Sequence, residues 1–208
     1  MDRDLLPRRA EDIVRAALRH ARVVMINGPR QSGKTTLVRE ILRSTAGRYS
    51  SLDDTRSLEA ARQDPAGFVE GGGLFAIDEF QRAGDPLLLA IKSEVDRRPS
   101  PGRFLLAGST RFLTVPNLSE SLAGRVDIVD LWPLSQGEIR GVRETFLPRL
   151  FGPVRGLRAL SPEPLSRREC FEAVCRGGLP EAVSIQARPR RRFLDAYLRT
   201  VLSRDARE

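Results

Sequence analysis

Gly28-Pro29-Arg30-Gln31-Ser32-Gly33-Lys34-Thr35-Thr36 is the stretch of this 208-residue chain whose residue types and spacing can do chemistry. It fits the pattern G-x-x-x-x-G-K-[ST]. Glycine at 28 and 33 lets the backbone curl round a phosphate with no Cβ in the way. Successive N–H groups then point inward as an anion nest. A helix beginning near Gly33 adds its positive end. Lys34 is placed to sit against the β- and γ-phosphates of a nucleoside triphosphate, and Thr35 to offer its hydroxyl to Mg²⁺. Lys34 is also a compositional exception. The chain has 35 basic residues, of which only Lys34 and Lys92 are lysine.

Such a phosphate loop, or P-loop, calls for a second element, a strand ending in an acid beside the magnesium. Leu74-Phe75-Ala76-Ile77 followed by Asp78-Glu79 supplies it. Asp78 at the strand end would hold Mg²⁺ through water, and Glu79 would orient and deprotonate the attacking water. Two weaker candidates lie downstream. Ser109-Thr110 closes the apolar run from Arg103 and reads either as a sensor of the γ-phosphate or as a local cap. Arg125 stands just before another strand and reads either as a γ-phosphate ligand, in its own subunit or a neighbour's, or as a surface arginine. Asp53-Asp54 ends a strand at the edge where ligands bind in open α/β sheets; a helix cap at Asp54-Thr55 is its simpler role.

These side chains need a scaffold. The pattern predicts an N-terminal amphipathic helix within residues 1–21, with Ile13, Ala17, Leu18 and Ala21 at helical spacing. A buried strand over 22–27 leads into the loop, and Leu37, Val38, Ile41 and Leu42 line one face of the helix after it. Further strands are expected at 48–53 (edge-like), 74–78, 103–109 and 126–132, with helices at 55–63, 86–97 and 118–123. Alternating strands and helices imply a mostly parallel five-stranded sheet between two helical layers. The run 103–109 would lie between the loop strand and the Asp78 strand. That is the additional-strand, catalytic-glutamate arrangement of P-loop ATPases, which includes the AAA+ proteins. Residues 1–135 form the core on this reading. Residues 136–208 form a small helical lid or extension, with an irregular stretch at 146–165 and helices at 166–176 and 189–205.

The net charge of +8 is uneven. Residues 1–139 carry 20 basic and 19 acidic side chains, whereas 140–208 carry 15 and 8. Phosphate neutralisation by Arg188-Pro189-Arg190-Arg191-Arg192 would give salt-dependent nucleic-acid binding, but only Phe193 and Tyr197 lie near it as stacking partners. Cys170 and Cys175 are too few for a disulfide framework and match no common zinc spacing, so they read as reduced thiols, at least one of them buried. No apolar run approaches a membrane span, and the charged N-terminus is unlike a signal peptide. The expectation is a soluble, cytoplasmic protein.

With these elements placed, the chain resembles a bacterial and archaeal family of AAA-like P-loop ATPases in which this domain precedes a C-terminal domain of unknown function. The matching segments are GPRQSGKTTL, Leu52-Asp53-Asp54, LFAIDEFQR, LLAGST, SLAGRVDIVDLWPLSQGEI and GGLPEAV. The resemblance implies an ATP-binding domain that hydrolyses ATP slowly and serves as a switch. It assigns Lys34 and Thr35 to the phosphates and Mg²⁺, Asp78 to Mg²⁺, Glu79 to the water, Ser109 to sensing and Arg125 to the γ-phosphate. Family members continue beyond the point where this chain ends, YLRTVLSRDARE, which is read as a truncated gene product or a fragment. A nucleic-acid-binding module and a non-catalytic nucleotide-binding interaction protein are the alternatives. No Asn-Lys-x-Asp stretch is present to read guanine, so adenine is expected.

Overall fold

The computed structural model describes residues 5–108, 122–153 and 165–205. The chain divides into two compact units, one of residues 8–132 and one of residues 1–7 with 133–208. In the first unit the elements are α1 (Arg9–Leu18), β1 (Val23–Asn27), α2 (Lys34–Ser44), β2 (Gly47–Ser51), α3 (Thr55–Gln63), α4 (Pro65–Val69) and β3 (Leu74–Asp78). A 3₁₀ turn (Phe80–Ala83), α5 (Asp85–Arg97), β4 (Phe104–Gly108) and β5 (Val126–Asp130) complete it.

All five strands are parallel, in the order β2-β3-β4-β1-β5. The expected insertion is present: β4 lies between the loop strand and the Asp78 strand. Side chains of a strand alternate between faces, and the sheet sorts them so. Val23, Met25, Phe75, Ile77, Phe104 and Leu106 pack on one side with α3, α4, α5 and the 3₁₀ turn. Val24, Ile26, Leu74, Ala76, Leu105 and Ala107 pack on the other with α1 and α2. The three central strands are buried along their whole length, as strands covered on both faces must be. β2 is a half-exposed edge. Asp54 caps α3, accepting from the N–H groups of Arg56 and Ser57.

One helix face departs from expectation. In α1 the buried residues are Val14 and Ala17, whereas Ile13 is 57% exposed. Both residues fit an apolar stripe, and the contact with the sheet selects the face one residue further on. At the far end of the sheet, Glu94 is buried and bonds Arg97 and Arg103, whose donation holds its carboxyl below the usual carboxylate range. Arg103 also donates to the carbonyls of Gly71 and Gly73, tying down the loop that enters β3.

The second unit is helical: α6 (Gln136–Arg140), α7 (Phe146–Leu150), α8 (Arg167–Arg176), α9 (Pro180–Ser184) and α10 (Ala187–Asp205). Both α6 and α8 begin with capping boxes, Ser135 with Glu138 and Ser166 with Glu169. Among its described residues only Leu134 and Ala182 are buried apolar side chains, and α8 buries none. This corrects the expectation for the cysteines. Cys170 and Cys175 are both free and both exposed, because α8 has no packed face to put them in. Among the described residues no helix is long and apolar enough to cross a membrane.

The two-sided core makes a stability contrast. Leu106→Ala, in the middle of the central strand, should cost about 2–5 kcal/mol, while Ile13→Ala should stay within about 0.5 kcal/mol of wild type. Urea unfolding of both variants checks this, and a costly Ile13→Ala would put α1 in the wrong rotation.

Candidate functional site

Parallel strands end at one edge, and that edge gathers the predicted residues. β1 ends at Asn27, whose side-chain amide donates to Asp130 at the end of β5 at 2.7 Å. The loop Gly28–Gly33 then turns into α2. Gly28 is required for a reason other than the one the motif suggests. A Cβ there would lie 2.3 Å from the Leu131 carbonyl oxygen, so glycine lets the loop pack onto the chain leaving β5. Gln31 and Gly33 are left-handed, with φ of 61° and 97°. For Gly33 that is an ordinary conformation, whereas Gln31 bears its cost. Pro29 is half-buried, and Arg30 and Thr36 are exposed.

The start of α2 is open. Gly33 is its N-cap and supplies no side-chain acceptor, and no acid stands in its first turn. Helices α3, α4, α6 and α8 each carry a side-chain cap. The first N–H groups of a helix need acceptors from outside, and at α2 nothing in its own sequence supplies them from a side chain. Ser32 adds a buried hydroxyl that has no hydrogen-bond partner. Its carbonyl is held by Arg8, which donates to it at 2.7 Å and also to the carbonyl of Trp132. An unfilled donor set and a buried, unused hydroxyl under a helix N-terminus fit a phosphate.

Lys34 is buried and folds back over the loop. Its Nζ donates to the carbonyls of Gly28 at 2.9 Å and Pro29 at 3.0 Å. Burial pushes its pKa below the usual lysine value, while the charges of Glu79 and Asp78 oppose the shift and Arg30 adds to it. The hydroxyl of Thr35 donates to Asp78 Oδ2 at 2.6 Å. That bond reaches from the first turn of α2 to the end of β3. Asp78 also accepts from the Tyr49 hydroxyl at 3.3 Å and, through Oδ1, from the Glu79 N–H at 3.0 Å. The Tyr49 pKa is raised by burial first and by Asp78 second. Glu79 follows in a left-handed conformation, φ 52° and ψ 36°, at the turn from β3 into the 3₁₀ turn. Its carboxylate accepts from the Gln81 amide at 2.5 Å.

Gly28–Thr36, Asp78 and Glu79 are thus brought to one sheet edge. Arg125 is not. It precedes Val126, which is in register with Val23 at the start of β1, and its carbonyl accepts from the Val23 N–H. The loop begins five residues later, about 16 Å away at ~3.3 Å per residue. The expectation that Arg125 reaches the γ-phosphate of its own chain therefore fails on register: the parallel pairing puts it at the opposite edge. There it makes a forked bond to Asp96 at 2.6 and 3.0 Å. Ser109 lies outside the described residues, directly after Gly108 at the end of β4. Of the basic run on α10, Arg190 turns inward onto the carbonyls of Ala182 and Ile185, while Arg188, Arg191 and Arg192 are exposed.

Sequence reasoning missed Arg8, Tyr49 and Gln81. Arg8 and Tyr49 are distant in sequence and reach the site only through the fold. Gln81, two residues after Glu79, lies inside the segment LFAIDEFQR, so its closeness to the acid is visible in the sequence.

A family profile described as an AAA domain matches residues 20–140. Uncharacterized proteins of Mycobacterium tuberculosis, Rv2008c, and Mycobacterium bovis, Mb2031c, are each 35% identical over 195 residues. The match covers 92% of this chain and 38% of each relative, so the chain spans well under half their length. Among solved structures, the Walker-type ATPase PABY2304 of Pyrococcus abyssi aligns with a TM-score of 0.53 at 18% identity, over 86% of this chain and 66% of that one. AMPPCP-bound DnaA from Aquifex aeolicus aligns with a TM-score of 0.51 at 13% identity, over 94% and 63%. These two share the fold, and with the profile match over residues 20–140 they make the chain a member of the AAA domain family of P-loop ATPases.

Proposed function

We propose that this chain binds ATP at the Gly28–Thr36 loop and hydrolyses it slowly in a Mg²⁺-dependent reaction, as a nucleotide-controlled switch. The observation that carries the reading is the Thr35–Asp78 hydrogen bond at 2.6 Å beneath an uncapped helix start. It unites a hydroxyl and a carboxylate with the donors that a triphosphate needs.

The roles follow from position. The N–H groups of residues 30–34 cradle the phosphates, and the exposed Arg30 and Thr36 flank them. Lys34 exchanges its two carbonyl partners for phosphate oxygens, trading neutral acceptors for charged ones. Thr35 and Asp78 would hold Mg²⁺, which when bound neutralises charge on the transferring phosphoryl group. No cluster of three or more acidic, histidine or cysteine ligands occurs among the described residues. With one hydroxyl and one carboxylate from the chain, the cation would keep waters and take substrate phosphates as its other ligands. Glu79 accepts a proton from water as the water oxygen attacks the γ-phosphorus. The bond to the β–γ bridging oxygen breaks, and ADP and phosphate leave. Ser109, next after Gly108, is the sensor in this reading.

The edge position of Arg125 suits a different role, on the nucleotide of a second copy. The Asp96 partner raises the Arg125 pKa, and the guanidinium stays charged throughout. In such an assembly the arginine would leave Asp96 for the neighbour's phosphates, so self-association and turnover would be linked.

Three outcomes test these assignments. Glu79→Gln should bind ATP as wild type does and lose turnover by about 10²-fold or more; undiminished turnover would remove Glu79 as the base. Lys34→Ala should weaken ATP binding about 10- to 100-fold, the worth of a charge-assisted hydrogen bond, and chelation of Mg²⁺ by EDTA should stop turnover. Calorimetric titration and phosphate release read both. Specific activity should rise with protein concentration, and Arg125→Ala should flatten that rise, by about 10³-fold if the arginine acts as a full finger in trans. Activity independent of concentration in wild type would confine Arg125 to its Asp96 pair.

A further inference from the structure

We propose that Gln81 is the positioning residue of the hydrolytic site. Its side-chain amide tethers one oxygen of the Glu79 carboxylate and leaves the other to accept from water. The inference rests on the reading of Glu79 as the base.

Gln81 Nε2 donates to Glu79 Oε2 at 2.5 Å. The nitrogen must be the atom facing the carboxylate, since two acceptors in that position would repel. The other end of the amide is unusual. Gln81 Oε1 is buried and has no hydrogen-bond partner. A buried, unsatisfied acceptor costs free energy and calls for an explanation. Here the amide is fixed by what it does at its nitrogen end, and the orphaned oxygen is the consequence.

The surroundings keep the amide in place. Gln81 Oε1 lies against the end of β4, where a Cβ on Gly108 would come within 2.7 Å of it and 2.8 Å of the Phe80 ring. Gly108 does not have a positive φ, so glycine is needed there for room and not for conformation. The space it leaves is the space the amide occupies. Glu79 itself is held in a left-handed turn, a conformation costly for a side chain with a Cβ.

A tether has a purpose at this position. Glu79 is close enough to Lys34 for its charge to raise the lysine pKa. A free carboxylate beside a buried ammonium is drawn into an ion pair, which would take the base from the water and the lysine from the phosphates. A neutral amide donor holds the carboxylate by one oxygen without neutralising it. The logic is that of a base oriented by a third group.

The test compares ATP turnover and ATP affinity for wild type, Gln81→Ala, Glu79→Gln and the double variant, all in the full chain. Gln81→Ala should lower kcat about 10- to 100-fold, the effect of a misplaced reacting group, with ATP affinity and KM unchanged. In the Glu79→Gln background the same change should do nothing further. The thermal midpoint of each variant confirms that it folds. Wild-type kcat in Gln81→Ala, or an equal loss with and without Glu79, overturns the inference. Should wild type show no turnover, or Glu79→Gln match it, the reading of the site fails and takes the inference with it. An inactive Glu79→Gln beside a fully active Gln81→Ala sinks the inference alone.

Discussion

The Thr35–Asp78 hydrogen bond is the contact on which the site is built, and it exists only because of strand order. β1 and β3 are not neighbours. With β4 between them, two strand spacings, roughly 9.6 Å in all, separate the loop strand from the acid. Neither strand alone can close that distance. The first turn of α2 closes it, because the loop carries the chain from the end of β1 across the edge of β4. Parallel pairing then matters as much as order. All the strands run the same way, so β1, β3 and β4 finish at one edge, and Asn27, Asp78 and Gly108 stand together. The core on both faces exists to hold that edge. Its buried strands fix the register, and the register fixes the distance from hydroxyl to carboxylate.

The electrostatics are arranged around charges that are partly satisfied. Lys34 is buried, which disfavours its ammonium, and two carboxylates oppose that cost. Its hydrogen bonds go to neutral carbonyls rather than to either acid. Asp78 is claimed by Thr35, Tyr49 and a backbone N–H, and Glu79 by Gln81. Each acid is therefore occupied by a neutral donor, and the lysine by neutral acceptors. Direct pairing of lysine with acid would be stronger and would close the site to phosphate. The weaker set of partners leaves every charge available to a ligand with greater charge than any of them.

Much of this was legible in the sequence. Residues 28–36, 78 and 79 announce themselves by type and spacing, and the strand that separates their two strands was readable from its apolar run at 103–109. What failed did so for identifiable reasons. Ile13 and Val14 both fit the apolar stripe of α1, and only the packing of the helix on the sheet decides between them. Arg125 was placed correctly before a strand, yet its distance from the loop depends on which end of that strand meets β1, a fact of pairing and not of spacing. The usual behaviour of cysteine implies that at least one of the pair is buried, and α8 offers no core in which to bury either. Tyr49 and Arg8 act on the site from remote elements, Tyr49 through β2's pairing with β3 and Arg8 by reaching over to Ser32 and Trp132. Their roles have no local signature.

The preference for lysine at position 34, in a chain whose other basic residues are arginine except Lys92, has a structural form. The Nζ atom sits beneath the loop between the carbonyls of two consecutive residues, Gly28 and Pro29, within 3.0 Å of both. Above it the loop is pressed onto the chain after β5, so closely that Gly28 has no room for a Cβ. A guanidinium is planar, carries five donors and needs acceptors spread around its rim. Buried here it would meet two carbonyls on one side and leave other N–H groups unsatisfied, at a cost for each. An ammonium has three donors on one point, so two carbonyls and one further acceptor account for all of them. The four-carbon stem is also flexible, so that point can change acceptors with less rearrangement than a rigid guanidinium fork. Arginine could carry the charge, but it could not be stored in this pocket between ligands.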